Sequence, residues 1–278
     1  MRVRLAATVL VGALALIGCG GQSGNSALAA VTLAATKTNE AGTARFATEM
    51  EMTIQGQTIT GTGSGELDLE RQLMHMEMTM QSPTGGGGID SEMYGSGLTI
   101  YMRSAAMGAA APGIKEWIEI DLAAAGEELG FDFGALQQLG QNDPTASLDY
   151  LRGAKSVEEL GQEDVRGTST THYRAVVDWD SVVEESPEDV RDAMRANVEV
   201  LKEWMGADEM TFDVWLDDEG RMRRQTMEFA YQQGPAAGST MDMTVEMFDF
   251  GADIVIQLPD PSEVTSFKEV MEQLQPSG

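Results

Sequence analysis

The stretch TARFATEMEMTIQGQTITGTGSGELDLERQLMHMEMTMQ, residues Thr43–Gln81, alternates apolar and polar positions through three runs separated by two turn signals. In the first run Phe46, Met50, Met52 and Ile54 share one parity, and Arg45, Glu49, Glu51 and Thr53 take the other. Gln55-Gly56-Gln57 turns the chain. Thr58–Leu69 follows, with Ile59, Leu67 and Leu69 on the same parity as Gly61, Gly63 and Gly65. Glu70-Arg71-Gln72 turns it again, and Leu73–Gln81 sets Met74, Met76, Met78 and Met80 opposite His75, Glu77 and Thr79. Successive side chains of a strand point to opposite faces, so this period of two spells an antiparallel meander with one apolar side.

The pattern extends outward from there. Ile89–Tyr94, Leu98–Arg103 and Lys115–Asp121 read as three more strands, with Pro83–Gly88 a mobile glycine loop and Ala105–Gly113 a connection. Leu122–Leu129 and Phe133–Leu139 read as short helical pieces, and Asp143-Pro144 starts a helix that stops at Gly153. Strands return at Ser156–Glu163 and His172–Trp179. Ser186-Pro187-Glu188-Asp189 opens a helix through Met205, its acidic start opposing the positive end of the helix dipole. A last meander sets Met210, Phe212, Val214 and Leu216, then Gln225, Met227, Phe229 and Tyr231, then Met241, Met243, Val245 and Met247 on successive apolar faces. Ser262–Leu274 reads as a terminal helix. Before the first meander, Ser26 is a plausible N-cap for a helix over Ala27–Glu40. The expectation is an α+β domain spanning 27–278, with ten or eleven antiparallel strands and helical inserts.

The first residues carry an address. Arg2 and Arg4 precede an apolar run, Leu5–Ile17, too short to remain as a spanning helix. Leu16-Ile17-Gly18-Cys19 resembles the lipobox of bacterial lipoproteins, in which the cysteine thiol takes a diacylglyceryl group and becomes the first residue after cleavage. Cys19 is the one cysteine in the chain. Residues 1–18 are expected to be a signal peptide and 19–26 a lipidated flexible tether. The protein is then exported and held by lipid at the outer face of the cell membrane, or at another envelope membrane. One acyl chain holds only marginally; two or three anchor stably.

Composition narrows the partners. With 45 Asp and Glu against 18 Lys and Arg, the formal net charge is −27. Such a surface repels phosphate backbones, so nucleic acid is excluded as a partner. Catalytic machinery is thin: His75 and His172 both fall on outward strand positions, and no serine or free cysteine sits in a nucleophile elbow. No enzyme activity, cofactor or zinc site is expected.

Methionine is the unusual feature, at 19 residues in a chain that is 6% aromatic. Its thioether side chain is flexible and polarizable and adapts to varied apolar shapes. Three readings stay open: an ordinary core that uses methionine, the deformable wall of an apolar cavity, or copper(I) ligation. Copper is disfavoured because His75 and Met76, adjacent in a strand, point to opposite faces. The wall residues expected from strand parity are Phe46, Met50, Met52, Met74, Met76, Met78, Met227, Phe229, Met241 and Met243. Gly61, Gly63 and Gly65 on that face would either leave room for a ligand or mark a bent strand.

Asp143-Pro144, Leu151-Arg152-Gly153-Ala154, Val157-Glu158-Glu159-Leu160-Gly161, Gly167–Arg174 and Val214–Arg221, behind a lipobox cysteine, resemble the actinobacterial LppX/LprA/LprF/LprG lipoproteins. More distantly they resemble the LolA and LolB lipoprotein carriers. The resemblance implies an incomplete antiparallel barrel wrapped on helices, with a cavity for acyl chains between them. It also implies binding of a lipid or lipidated molecule and help in moving it across the envelope; the chain is expected to be a monomer with an envelope transport protein as partner. The high methionine content and the Gly85–Gly88 loop depart from that pattern. An envelope sensor or interaction protein with a filled core is the alternative of a different class.

Overall fold

The computed structural model describes residues 23–81, 88–104, 114–129, 131–134, 150–234 and 236–274. Twelve strands form one sheet. The first meander contributes β1 (Thr43–Ile54), β2 (Gln57–Asp68), β3 (Leu73–Gln81), β4 (Gly88–Ser96), β5 (Thr99–Ser104) and β6 (Trp117–Asp121). The second contributes β7 (Ala154–Val165), β8 (Thr168–Asp178), β9 (Glu209–Leu216), β10 (Met222–Ala230) and β11 (Thr240–Phe248). β1 pairs with β11 and so joins the halves, giving the order β12-β6-β5-β4-β3-β2-β1-β11-β10-β9-β8-β7. β12 (Val264–Ser266) runs parallel to β6 and all other pairs are antiparallel. The first and last strands of this order do not pair with each other, so the sheet is an open, incomplete barrel.

Among the described residues the helices are α1 (Ser23–Asn39), α2 (Leu122–Leu129), α3 (Trp179–Glu185), α4 (Arg191–Met205) and α5 (Phe267–Leu274). α1 is amphipathic at helical spacing: Ala27, Val31, Ala34, Ala35 and Thr38 are buried. It lies across β7–β10. α4 presents Met194, Asn197 and Val198 inward and ends where Gly206 takes a left-handed conformation. Asn197 accepts from the Asp132 N–H (2.7 Å) and donates to its carbonyl (2.8 Å), fixing the segment after α2 against α4.

The outward face is held by charge. Asp217 is buried and accepts from the Arg221 N–H (2.9 Å), Arg221 Nε (2.9 Å) and Arg223 Nε (2.8 Å). Burial alone would raise its pKa, but the hydrogen bonds from Arg223 and Arg221 outweigh that and hold the carboxyl below the usual range. His172 faces Glu163 through Nδ1 (3.1 Å) and Asp213 through Nε2 (2.7 Å), and its ring stacks on Trp215 at 3.9 Å.

Several expectations need correction. Among the described residues the strands number twelve because β12, expected to be the start of the terminal helix, adds beside β6 before the chain turns helical at Phe267. Ser26 lies inside α1 rather than capping it, since the alanine-rich helix propagates back to Ser23, into the segment read as tether. Trp179 opens α3 instead of closing a strand, because Asp178 caps that helix by accepting from the Ser181 N–H at 2.8 Å. Ser186 ends α3 instead of starting the next helix. It precedes Pro187, which biases it to extended backbone, and its hydroxyl bonds back to the Val182 carbonyl at 2.7 Å. The helix expected from Asp143 lies outside the described residues except at its end, where Tyr150–Gly153 forms a 3-10 turn. The Pro83–Gly88 loop, apart from Gly88, and Cys19 also lie outside the described residues.

Candidate functional site

Strand register places all ten expected wall residues on one face of the sheet. Across seven strands, from β6 to β11, Ile118, Met102, Met93, Met76, Gly65, Phe46 and Met247 stand opposite one another in sequence. A second row runs from β4 to β7 through Ile89, Met80, Gly61, Met50, Met243, Met227, Phe212, Ala175 and Val157. A third joins Ile59, Met52, Met241 and Phe229. This inward parity also carries Met74 and Met78, so thioethers dominate the face of the first meander.

The two halves of that face differ. Over β7–β10 it is packed solid by α1, α3 and α4: Val31, Leu151, Trp179, Met194, Phe212 and Val214 are all buried. Phe46, Met76 and Met227 belong to the same buried core, with Met74, Met78, Phe229 and Met243 packed half-buried against it. Met50, Met52 and Met241 are half-buried toward the far ends of their strands. The sequence reading left out Met93 and Met102. β5 has six residues, and on β4 small or polar Ser91 and Gly95 share the inward parity of Met93, so the alternation is blurred.

The glycines do not leave empty space on β2. A β-carbon at Gly65 would lie 2.7 Å from Phe46 Cε1, so the Phe46 ring covers that position from the neighbouring strand. At Gly61 it would lie 2.9 Å from Met80 Sδ and 3.5 Å from Met50 Cε. Neighbouring side chains fold into the gaps.

A cleft of about 910 Å³ lies along β2–β6, within the range of small-ligand sites, about 300–1,000 Å³. Inward-parity Met78, Met102 and Ile118 border it, together with outward-parity Glu77, Glu92 and Arg103. Of the ten expected wall residues it touches Met78. The outward border is an organised polar cluster. Glu92 faces His75 Nε2 at 3.0 Å, accepts from the Tyr94 hydroxyl at 3.1 Å and pairs with Arg103. His75 stacks on Tyr94 at 4.5 Å, and Arg103 lies over the Trp117 ring at 4.9 Å. Burial pushes Glu92 up, but the bonds from Arg103, His75 and Tyr94 prevail and hold it below the usual carboxylate range. Burial, then Glu92, pushes Tyr94 up, so near neutrality it is a neutral donor beside a carboxylate.

His75, Glu77 and Glu92 bring potential metal-ligand atoms within 4.8 Å of one another. Glu92, however, already serves His75, Tyr94 and Arg103, and the guanidinium sets a positive charge beside any cation. Met74, Met76 and Met78 face away from His75, on the other side of the sheet, so they form no joint thioether–imidazole set. What the arrangement offers is an adaptable apolar inner face and, on the outward side of the cleft, a paired charged cluster. Among the described residues no helix is long and apolar enough to cross a membrane.

No family model matches the chain. It is 28% identical over 170 residues to an uncharacterised 31.2 kDa protein of Streptomyces griseus, an alignment covering 59% of this chain and 52% of that one. It is 22% identical over 147 residues to a putative lipoprotein of Streptomyces coelicolor, covering 52% of this chain and 40% of the other. The chain thus spans about half the length, or less, of these relatives. Among solved structures it is similar to the lipoprotein LppX of Mycobacterium tuberculosis, with a TM-score of 0.48 and 11% identity over 84% of this chain and 99% of that one. It is likewise similar to LprF of Mycobacterium bovis, with a TM-score of 0.44 and 10% identity over 84% and 97% of the two chains.

Proposed function

We propose that this chain is an exported, lipid-anchored envelope protein that binds a lipid or other hydrophobic ligand on the methionine face of its first meander, without catalysing a reaction. The observation that carries the reading is the register: Met102, Met93 and Met76 stand side by side on β5, β4 and β3, beside a cleft of about 910 Å³. Such a surface yields to chains of differing shape, which suits a carrier better than a single rigid partner. Each methylene moved from water to that surface contributes about 0.8 kcal/mol before ordering losses. The lipobox at Cys19 and the relative described as a putative lipoprotein support anchoring at the outer face of the cell membrane. Delivery to an envelope transport protein follows from the same reading.

Native mass spectrometry of the protein extracted from its envelope tests this. Co-extracted lipid, displaced by a fluorescent acyl probe, is the expected result. Repeated isolation without lipid, together with no probe uptake, would refute it. One observation favours the sensor alternative: Phe46, Met50 and Met80 already occupy the glycine gaps. A ligand-free interior plus a protein partner recovered by cross-linking would establish that alternative.

A further inference from the structure

The distribution of charge along the sheet singles out one end. β1 and β2 meet at Gln55–Gly56, β3 ends at Gln81 opposite Gly88 of β4, and β10 ends at Ala230 opposite Thr240 of β11. Thr240 pairs with Thr53, and Gln81 with Thr60, so these hairpin ends lie together at the same end of the sheet. In a chain of net charge −27, Met52–Gly65, Met78–Ile89 and Phe229–Met241 contain no Asp, Glu, Lys or Arg. The opposite end is different: its turns carry Asp68, Glu70 and Arg71, Asp164 and Arg166, and Asp217, Asp218, Glu219 and Arg221.

The charge-free end is also apolar. Ile54 and Ile89 are 41% and 46% exposed. Met52, Ile59, Met80 and Met241 beside them are half-buried and continue without a break into the inward methionine rows. Exposed apolar surface grouped in this way marks a site of contact.

A separate observation identifies the partner. The C-terminal turn of α1 lies at the charged end, where Thr38 Oγ1 accepts from the Met222 N–H at 2.9 Å and Lys37 lies beside Gly220. From there α1 runs back across the sheet to the Tyr150–Gly153 turn, which precedes the first residue of β7. Its N-terminus therefore points toward the charge-free end, and no charged residue occurs from Ser23 to Thr36. Cys19 stands four residues before Ser23. The described chain therefore begins toward the charge-free end, four residues after the cysteine expected to carry the lipid.

We propose that this end, with Ile54 at its tip and Ile89 behind it at the level of Met50, is a lipid-bilayer contact. The anchored domain rests on the membrane through it, and an acyl chain passes from the bilayer to the methionine face. The inference rests on the lipid-anchored reading above. Neutral apolar tips bury at a bilayer surface by area alone, without need of basic residues. The acids resume three residues behind Ile54, one row nearer the tip than Ile89: Glu51, Asp242 and Glu228 stand opposite one another on the outward face. They limit penetration and disfavour strongly anionic surfaces. The strand ends on both flanks are charged: Lys155 pairs with Glu209, Lys202 with Asp180 and Asp208, and Arg103 with Glu116, while Asp90 beside Ile89 accepts from the Thr79 hydroxyl.

The test uses the acylated full-length lipoprotein on phosphatidylcholine vesicles, with an environment-sensitive fluorophore on Ile54→Cys or, as control, on Asp218→Cys. Cys19 is blocked by its lipid, so the new thiol alone is labelled. The Ile54 label should shift to the blue on adding vesicles and lose access to an aqueous quencher, while the Asp218 label does neither. Ile89→Glu, at a position 46% exposed, should weaken the shift, and adding phosphatidylglycerol should reduce it. Equal exposure of both labels overturns the proposal. So does shielding of the Ile54 label without vesicles, through a second copy of the chain. Lipid uptake measured on the same protein separates the readings: uptake with an exposed tip refutes only the contact, and an inserted tip without uptake refutes only the ligand face.

Discussion

Replacing glycine by alanine at two positions of β2 tests whether the methionine face is filled where its glycines lie. At Gly65 the new methyl carbon would stand 2.1 Å from the His75 carbonyl oxygen and 2.7 Å from the Phe46 ring. A backbone carbonyl in a paired strand cannot retreat without breaking ladder bonds, so β2 or β3 must move. At Gly61 the nearest atom is Met80 Sδ at 2.9 Å, the flexible far end of a side chain. Neither glycine has a positive backbone φ, so alanine strains neither backbone. Alanine also gains about 0.4–1 kcal/mol at each position by restricting the unfolded chain. Overpacking a core costs about 1–3 kcal/mol and more where backbone must shift. Gly65→Ala should therefore destabilise by roughly 2–3 kcal/mol net, whereas Gly61→Ala stays within about 1 kcal/mol of wild type. Urea unfolding followed by tryptophan fluorescence reads the difference as a shift in midpoint at unchanged slope. Equal, small effects at both sites would mean that Phe46 does not lie over Gly65 and that the face is more open than described.

Other consequences follow from the same contacts. Asp217→Asn leaves Arg221 and Arg223 without their buried carboxylate and should cost about 3–5 kcal/mol, read by thermal unfolding. The folded-state pKa of Asp217 is depressed, so its contribution is present above the unfolded value near 4 and lost as pH falls through the folded value. The wild type should therefore lose stability on acidification more steeply than Asp217→Asn. Met194→Ala, in the solid half, should cost about 2–5 kcal/mol, and Met93→Ala, half-buried over β4, clearly less; equal losses would contradict the division into a packed and an open half. Cys19→Ala should abolish palmitate incorporation and release the protein from membranes in a fractionation assay, and continued labelling would place the acyl group elsewhere.

The architecture is legible where neighbours in sequence are neighbours in space. Thr43–Gln81 displays its parity openly, and that parity puts all ten expected wall residues on one face. What the sequence hides is contact between strands. Gly65 looks like vacant space until the register sets Phe46 beside it. β12 is a three-residue parallel partner of β6, joined across most of the chain, and short parallel pairs leave no local pattern. Ser186-Pro187 carries the residues of a helix start yet ends α3, because a serine hydroxyl can bond backward to a carbonyl as well as cap forward. The charge-free end appears only when hairpins distant in sequence are brought together, since no single stretch is unusual alone.

The most direct measurement of the ligand face is a covalent map. A photoreactive fatty acid, bound to the purified lipoprotein and irradiated, should attach to inward residues of the first meander, with Met76, Met93 and Met102 foremost, and unlabelled lipid should compete it away. Attachment confined to outward residues such as Glu77 and Arg103, or labelling that excess lipid does not reduce, would contradict the assignment of that face as the ligand-holding surface.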